Sequence, residues 1–200
     1  MEKGVIYVHG KGGTAAEAEH YRSLLPDRDV VGFDYRSETP WEAREEFCLF
    51  YDAFCKNHPQ VELIANSIGA FFAMHALYDR KIGRAYLISP IVDMEGLIVD
   101  LMRRADISER ELKEKGTIVT PFGEVLSWTY LQWVREHPIF WNVPTGILCG
   151  EKDRLQSLDA VRRFADRICA RVTIMENGEH WFHTAGQMRF LDRWIRDNAE

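Results

Sequence analysis

The chain is poor in cysteine. It has four, Cys48, Cys55, Cys149 and Cys169, and none of them forms a Cys-x-x-Cys pair. That spacing argues against a zinc site and a disulfide framework, and leaves free, core-filling thiols in a reducing compartment. Positive charge is not in excess either: 25 Lys and Arg face 31 Asp and Glu, a net charge of −6. With both signs mixed throughout, the chain has no electrostatic footprint for nucleic acid or an anionic membrane. No apolar run reaches the roughly 18 residues that a membrane span requires. The opening Met-Glu-Lys-Gly-Val-Ile-Tyr-Val-His runs straight into strand-like residues without the features of a signal peptide, so the expected location is cytoplasmic. No repeat or low-complexity tract is present. What the chain does have is apolar content: at 200 residues and 46% hydrophobic composition, it suits one globular domain with a sizeable core.

Read in order, short buried-strand runs alternate with helix-like runs. Strands are expected at Gly4–His9, Asp29–Asp34, Val61–Asn66, Arg84–Ser89, Thr145–Gly150 and Arg171–Met175. Helices are expected at Ala15–Leu25, Trp41–Lys56, Ile68–Tyr78, Leu158–Ala170 and His183–Asp197, with Pro26, Pro59 and Pro90 as punctuation. This rhythm predicts an α/β fold, a doubly wound parallel six-stranded sheet of order 2-1-3-4-5-6 covered on both faces. One stretch, about 94–141, breaks the rhythm. It reads as two helical runs, Leu97–Lys115 and Glu124–Glu136, and is expected to be a cap inserted into the single domain after the fourth strand. Ligands bind at the C-terminal edge of such sheets, so its aromatics Phe122, Trp128, Trp133 and Trp141 are candidate substrate contacts, with Trp181 as a fifth. Packing within the body is the competing reading of an aromatic stripe at helical spacing.

The chemistry centres on Val61–Ala70, where an apolar strand turns into a helix around Ser67 with no loop between. That is the setting of a nucleophile elbow, which needs small neighbours; Ala65, Gly69 and Ala70 supply them. A serine is a poor nucleophile without a base and an orienting acid. Asp153 follows the fifth strand and His180 the sixth, so both are expected at the edge that carries Ser67. Asp93, after the fourth strand, is a rival acid. A metal reading of His180-x-x-His183 lacks further ligands at sensible spacing. The loop Gly10-x-Gly12-x-x-Ala15, with Asp34 ending the next strand, also has the outline of a dinucleotide fingerprint. Alternatively, the loop turns a backbone N–H of Lys11 or a neighbour toward Ser67, forming an oxyanion hole with Ile68.

Together, His9-Gly10-Lys11-Gly12-Gly13, Asn66-Ser67-Ile68-Gly69, Gly150-x-x-Asp153 and Gly178-x-His180 resemble the α/β-hydrolase superfamily, in particular its small carboxylesterase-like serine esterases. The resemblance extends from Gly4 to the last helix. It implies Ser67 as nucleophile, His180 as base and Asp153 as acid, with backbone N–H groups of Lys11 and Ile68 as the oxyanion hole. It also implies a small-molecule ester substrate, no cofactor and no metal. The sequence departs from the pattern in two ways: Ala65 stands where the elbow has its first Gly, and the family's first two strands are missing. A hydrolase fold without activity that serves as a binding protein is the further alternative.

Overall fold

A computed structural model describes residues 3–199. In chain order the elements are β1 (Lys3–Val8), α1 (Ala18–Leu24, preceded by a 3-10 turn at Ala15–Glu17), β2 (Arg28–Phe33), α2 (Pro40–Phe54), β3 (Val61–Asn66), α3 (Ser67–Ala76), β4 (Arg84–Ile88), α4 (Met94–Arg104), α5 (Glu109–Lys115), β5 (Thr117–Val119), β6 (Val125–Ser127), α6 (Trp128–Glu136), β7 (Thr145–Gly150), α7 (Leu158–Arg167), β8 (Arg171–Met175) and α8 (Ala185–Ala199). They form two compact units, residues 93–139 and the rest.

The larger unit is built on a parallel sheet of order β2-β1-β3-β4-β7-β8, the expected 2-1-3-4-5-6 when its own six strands are counted. Val5, Tyr7 and Val8 in β1, Ile64 and Ala65 in β3, and Tyr86 and Leu87 in β4 have no exposure, as strands covered on both faces require. Helix entry follows local chemistry. Thr39 accepts the N–H of Glu42 ahead of Pro40, and Ser157 accepts that of Ala160 at the start of α7. The last helix starts two residues later than expected. Thr184 Oγ1 accepts the Gln187 N–H (3.3 Å), so Thr184, not His183, caps it.

Register brings the strand ends level. Val8 pairs with Ala65, Asn66 with Ile88, Ile88 with Leu148, and Gly150 with Met175. The residues after β1, β3, β7 and β8 therefore emerge at one rim. The chain leaves β1 toward β2 on one side and places β3 on the other, so a topological switch point lies between the ends of β1 and β3.

The smaller unit corrects the sequence expectation in two places. The run Leu97–Lys115 is two helices, not one. Asp106 takes φ 55°, its N–H and that of Ile107 return to Arg103 and Met102, and Ser108 starts a new helix by accepting the Glu111 N–H. The second run becomes helical only at Trp128, because Thr117–Val119 and Val125–Ser127 pair as an antiparallel hairpin around Pro121-Phe122-Gly123. Ile98, Met102, Leu112, Leu126 and Leu131 form its buried side, and Arg135 joins α6 to Glu95 and Glu109 at 2.7 Å each.

Candidate active site

At the end of β3 the backbone reverses directly into α3, and Ser67 takes φ 49° at the junction. A left-handed φ on a residue with a Cβ costs about 1–2 kcal/mol. Close packing surrounds it. A Cβ on Gly69 would lie 2.1 Å from the His9 carbonyl oxygen, and one on Gly10 would lie 3.1 Å from the Ser67 Cβ. The loop after β1 thus rests directly on the elbow. That loop is anchored from below: Tyr35 OH donates to the His9 carbonyl (2.9 Å), and its ring stacks on the His9 imidazole at 4.4 Å. Ala65 in place of the elbow's first glycine is accommodated as an ordinary, fully buried strand residue.

The two other expected residues arrive on loops that are packed against each other. A Cβ on Gly150 would meet the Gly178 carbonyl at 2.4 Å. Across this contact the Lys152 N–H donates to the Gly178 carbonyl (2.7 Å), the Glu151 N–H to that of Met175 (2.9 Å), and the Asn177 N–H to the Glu151 carboxylate (2.8 Å). Asp153 and His180 are the side chains these loops present. Ser67 Oγ lies 2.8 Å from His180 Nε2, and His180 Nδ1 lies 2.7 Å from Asp153 Oδ2.

The Asp153 carboxylate is almost fully enclosed, with 2% of the side chain exposed, and the imidazole is 20% exposed. Its second oxygen, Oδ1, accepts the backbone N–H groups of Leu155 (2.8 Å) and Gln156 (3.2 Å). Gln156 is buried and its side-chain oxygen accepts the Val92 N–H (2.9 Å), tying this loop to the segment after β4. A carboxylate at Nδ1 selects the tautomer with its proton on Nδ1, which leaves Nε2 to accept the Ser67 hydroxyl proton. Nearby, burial and then the Asp153 charge push the Cys149 thiol up to about 11.

The other expected residues divide. Asp93 spends an oxygen on the Gly96 N–H (2.8 Å) as the cap of α4, and the carboxylate on the His180 ring is that of Asp153. Trp141 does not belong with the rim residues. It is buried, and its indole N–H donates to Thr145 Oγ1 (2.9 Å) at the first residue of β7, the end away from Gly150. Trp181 follows His180, is 73% exposed and stacks on His183 at 4.5 Å. Phe122, Trp128 and Trp133 lie in the smaller unit, where each has a local partner: Arg104 over Phe122, Lys113 over Trp128, and His137 stacked on Trp133.

The glycine loop ends in a 3-10 turn in which the Thr14 N–H donates to Glu17 Oε1 (3.1 Å). The Thr14 N–H, at the helix entry where a dinucleotide fingerprint would offer donors to a pyrophosphate, is instead bonded to the Glu17 carboxylate, which counts against that reading. Sequence reasoning did not single out Tyr7, Glu17 or Gln156. The Thr14-x-x-Glu17 spacing of a helix cap was the available signal for one of them.

Solved structures with this arrangement of elements are numerous in kind. Alpha/beta hydrolase domain-containing protein 10 from mouse superposes with a TM-score of 0.77 at 18% identity, over 98% of this chain and 89% of that one. Est1E from Butyrivibrio proteoclasticus gives 0.75 at 14% identity, over 99% of this chain and 87% of that one. The chain has the α/β-hydrolase fold. An esterase of Pyrococcus furiosus gives 0.63 at 18% identity, over 99% of this chain and 80% of that one. No protein-family profile matches the chain, and no curated protein matches it. The α/β-hydrolase likeness therefore rests on structure, and activity has to be argued from the site. Among the described residues no helix is long and apolar enough to cross a membrane.

Proposed function

We propose that the protein is a serine hydrolase that cleaves a carboxylic ester through an acyl-enzyme. The observation that carries this reading is the chain of contacts from Ser67 Oγ to His180 Nε2 and from His180 Nδ1 to Asp153 Oδ2. In the first half-reaction Ser67 Oγ attacks the ester carbonyl while His180 Nε2 takes its proton. Asp153 holds the ring and stabilises the imidazolium that forms. The tetrahedral oxyanion is held by the backbone N–H of Ile68, in the first turn of α3, and by that of Lys11 in the loop resting on the elbow. Each such donor lowers the barrier by about 3 kcal/mol. Collapse breaks the bond to the alcohol, which leaves with the proton from His180 and Ser67 acylated. Water then attacks the acyl carbon with His180 as base, releasing the acid and restoring Ser67.

The substrate is a small ester with an apolar or aromatic group. Trp181 and Leu155, two exposed apolar side chains on the loops of the base and the acid, support this. For Phe122, Trp128 and Trp133 the proposal rests on the sequence reading alone. Rates on p-nitrophenyl esters are expected to rise from acetate toward longer acyl chains, and equal rates at all lengths would remove the apolar site.

The decisive experiment is labelling with a fluorophosphonate probe. Stoichiometric labelling of the protein, abolished in Ser67→Ala, is the expected result. An unlabelled protein with an intact fold would instead leave a hydrolase fold that serves in binding.

A further inference from the structure

A second set of polar contacts runs behind the elbow. Tyr7, in the middle of the sheet, has no exposure, yet its hydroxyl has partners on both sides. The Asn66 side-chain amide donates to the Tyr7 oxygen (2.9 Å), and the Tyr7 hydroxyl donates to Glu17 Oε2. The other oxygen of Glu17 accepts the Thr14 N–H (3.1 Å), at the exit of the glycine loop. Asn66 is the residue before Ser67, so this path joins the two pieces of backbone that carry the proposed oxyanion donors.

We propose that Asn66, Tyr7 and Glu17 are positioning residues: the relay they form holds the glycine loop in register with the elbow, so that the two oxyanion donors keep a fixed separation. This rests on the reading of Ser67 as nucleophile and of Lys11 and Ile68 as donors. The physical case is one of two feet. The entry of the loop is fixed by packing, with Gly69 against the His9 carbonyl and Tyr35 bonded to the same oxygen. At its middle Gly12 takes φ 75° with nothing within 4 Å of where a Cβ would be, while the Gly13 N–H donates to the Gly10 carbonyl (3.1 Å) and a Cβ on Gly13 would lie 2.7 Å from Glu17 Oε1. The exit is held at Thr14 by Glu17, and Glu17 is in turn held by a tyrosine that answers to Asn66. Along the path only the Tyr7 hydroxyl both accepts, from the Asn66 amide, and donates, to the Glu17 carboxylate, so replacing the tyrosine breaks the path in both directions. Glu17→Gln is informative for this reason. The glutamine oxygen can keep the Thr14 N–H, but its amide then faces a tyrosine hydroxyl that already receives the Asn66 amide and is left with no acceptor.

The test compares full-length Tyr7→Phe and Glu17→Gln with Tyr51→Phe, which removes a buried hydroxyl bonded to the Lys81 carbonyl (2.6 Å) in a different part of the unit. Two readouts are taken: amide hydrogen exchange over residues 10–14, and kcat and KM on a p-nitrophenyl ester. Tyr7→Phe is expected to speed exchange in the loop and to lower kcat by about ten- to a hundredfold, with KM nearly unchanged, as a displaced donor predicts. Glu17→Gln should move both readouts in the same direction. Tyr51→Phe should lower the melting temperature and move neither. Should Tyr7→Phe not fold, Glu17→Gln, whose side chain lies at the surface, carries the comparison. Wild-type exchange and kcat in both relay variants, or losses that only track melting temperature as in Tyr51→Phe, overturn the proposal. A wild-type protein that fails to react with fluorophosphonate overturns the nucleophile reading instead, and the exchange measurement then still decides whether the relay orders the loop.

Discussion

A single carboxylate shows how much one residue's surroundings determine. Asp153 has one oxygen on the His180 ring and the other on two backbone N–H groups. In Asp153→Asn the backbone donors demand the amide oxygen, which turns the amide N–H₂ toward Nδ1. The imidazole must then carry its proton on Nε2, where it cannot accept one from Ser67. Turnover is expected to fall by about 10⁴ with folding preserved, measured as kcat on a p-nitrophenyl ester beside an unchanged circular dichroism spectrum. A near-normal rate would mean that another group orients the ring. The same geometry explains why Asp93 was an open alternative in the sequence. Both aspartates follow strands; Asp93 accepts the Gly96 N–H as the cap of α4, whereas Asp153 Oδ2 lies on the His180 ring.

At the scale of elements, the loops that carry Asp153 and His180 meet through Gly150 and Gly178, whose contact with each other the spacing of their motifs does not reveal. Gly150→Ala forces a methyl to within 2.4 Å of the Gly178 backbone, and neither loop can retreat without breaking the Lys152–Gly178 bond. We expect a loss of about 1–3 kcal/mol in urea unfolding together with a fall in kcat. Gly186→Ala, in α8 where a Cβ meets nothing within 4 Å, should be neutral or stabilising by up to about 1 kcal/mol. If the two variants behave alike, the loop-to-loop contact does not position the site. The alternating strands and helices, and the rim shared by Ser67, Asp153 and His180, were legible because buried parallel strands are dense apolar runs whose ends are marked by Gly, Pro and Asx. The hairpin of β5 and β6 was not legible. Three-residue strands are too short to show an alternation, and Val119 and Val125 are exposed rather than buried. The break between α4 and α5 did leave a mark, Ser108 three residues before Glu111, which a reading by apolar spacing alone passes over. Trp141 misled for the opposite reason. Its place in the 94–141 stretch grouped it with the cap aromatics, while a hydrogen bond to Thr145 fixed it at the far end of β7.

For the molecule as a whole, the sheet encloses polar groups as well as apolar ones. Tyr7, Tyr21 and Tyr35 are buried around the first strand and its loop, and desolvation raises each phenol far above its ordinary 10.0, with Tyr7 further raised by Tyr21 and the Glu17 side chain. The folded chain therefore keeps protons that the unfolded chain releases once pH passes about 10. Because the unfolded state then binds fewer protons, folding stability declines as pH rises, by about 1.4 kcal/mol per pH unit for each phenol still protonated only in the fold. Below pH 10 these groups contribute no slope. Urea midpoints measured from pH 8 to 11.5 should be flat with respect to these groups at first and then fall steeply. Tyrosinate absorbance from the three rings should appear together with loss of the folded circular dichroism signal. Tyr7→Phe should remove part of the alkaline slope, because a ring that cannot ionise no longer favours the unfolded chain. A phenolate signal that titrates near 10 in the intact fold would show instead that water reaches these hydroxyls, and with it the ground beneath the elbow and the glycine loop.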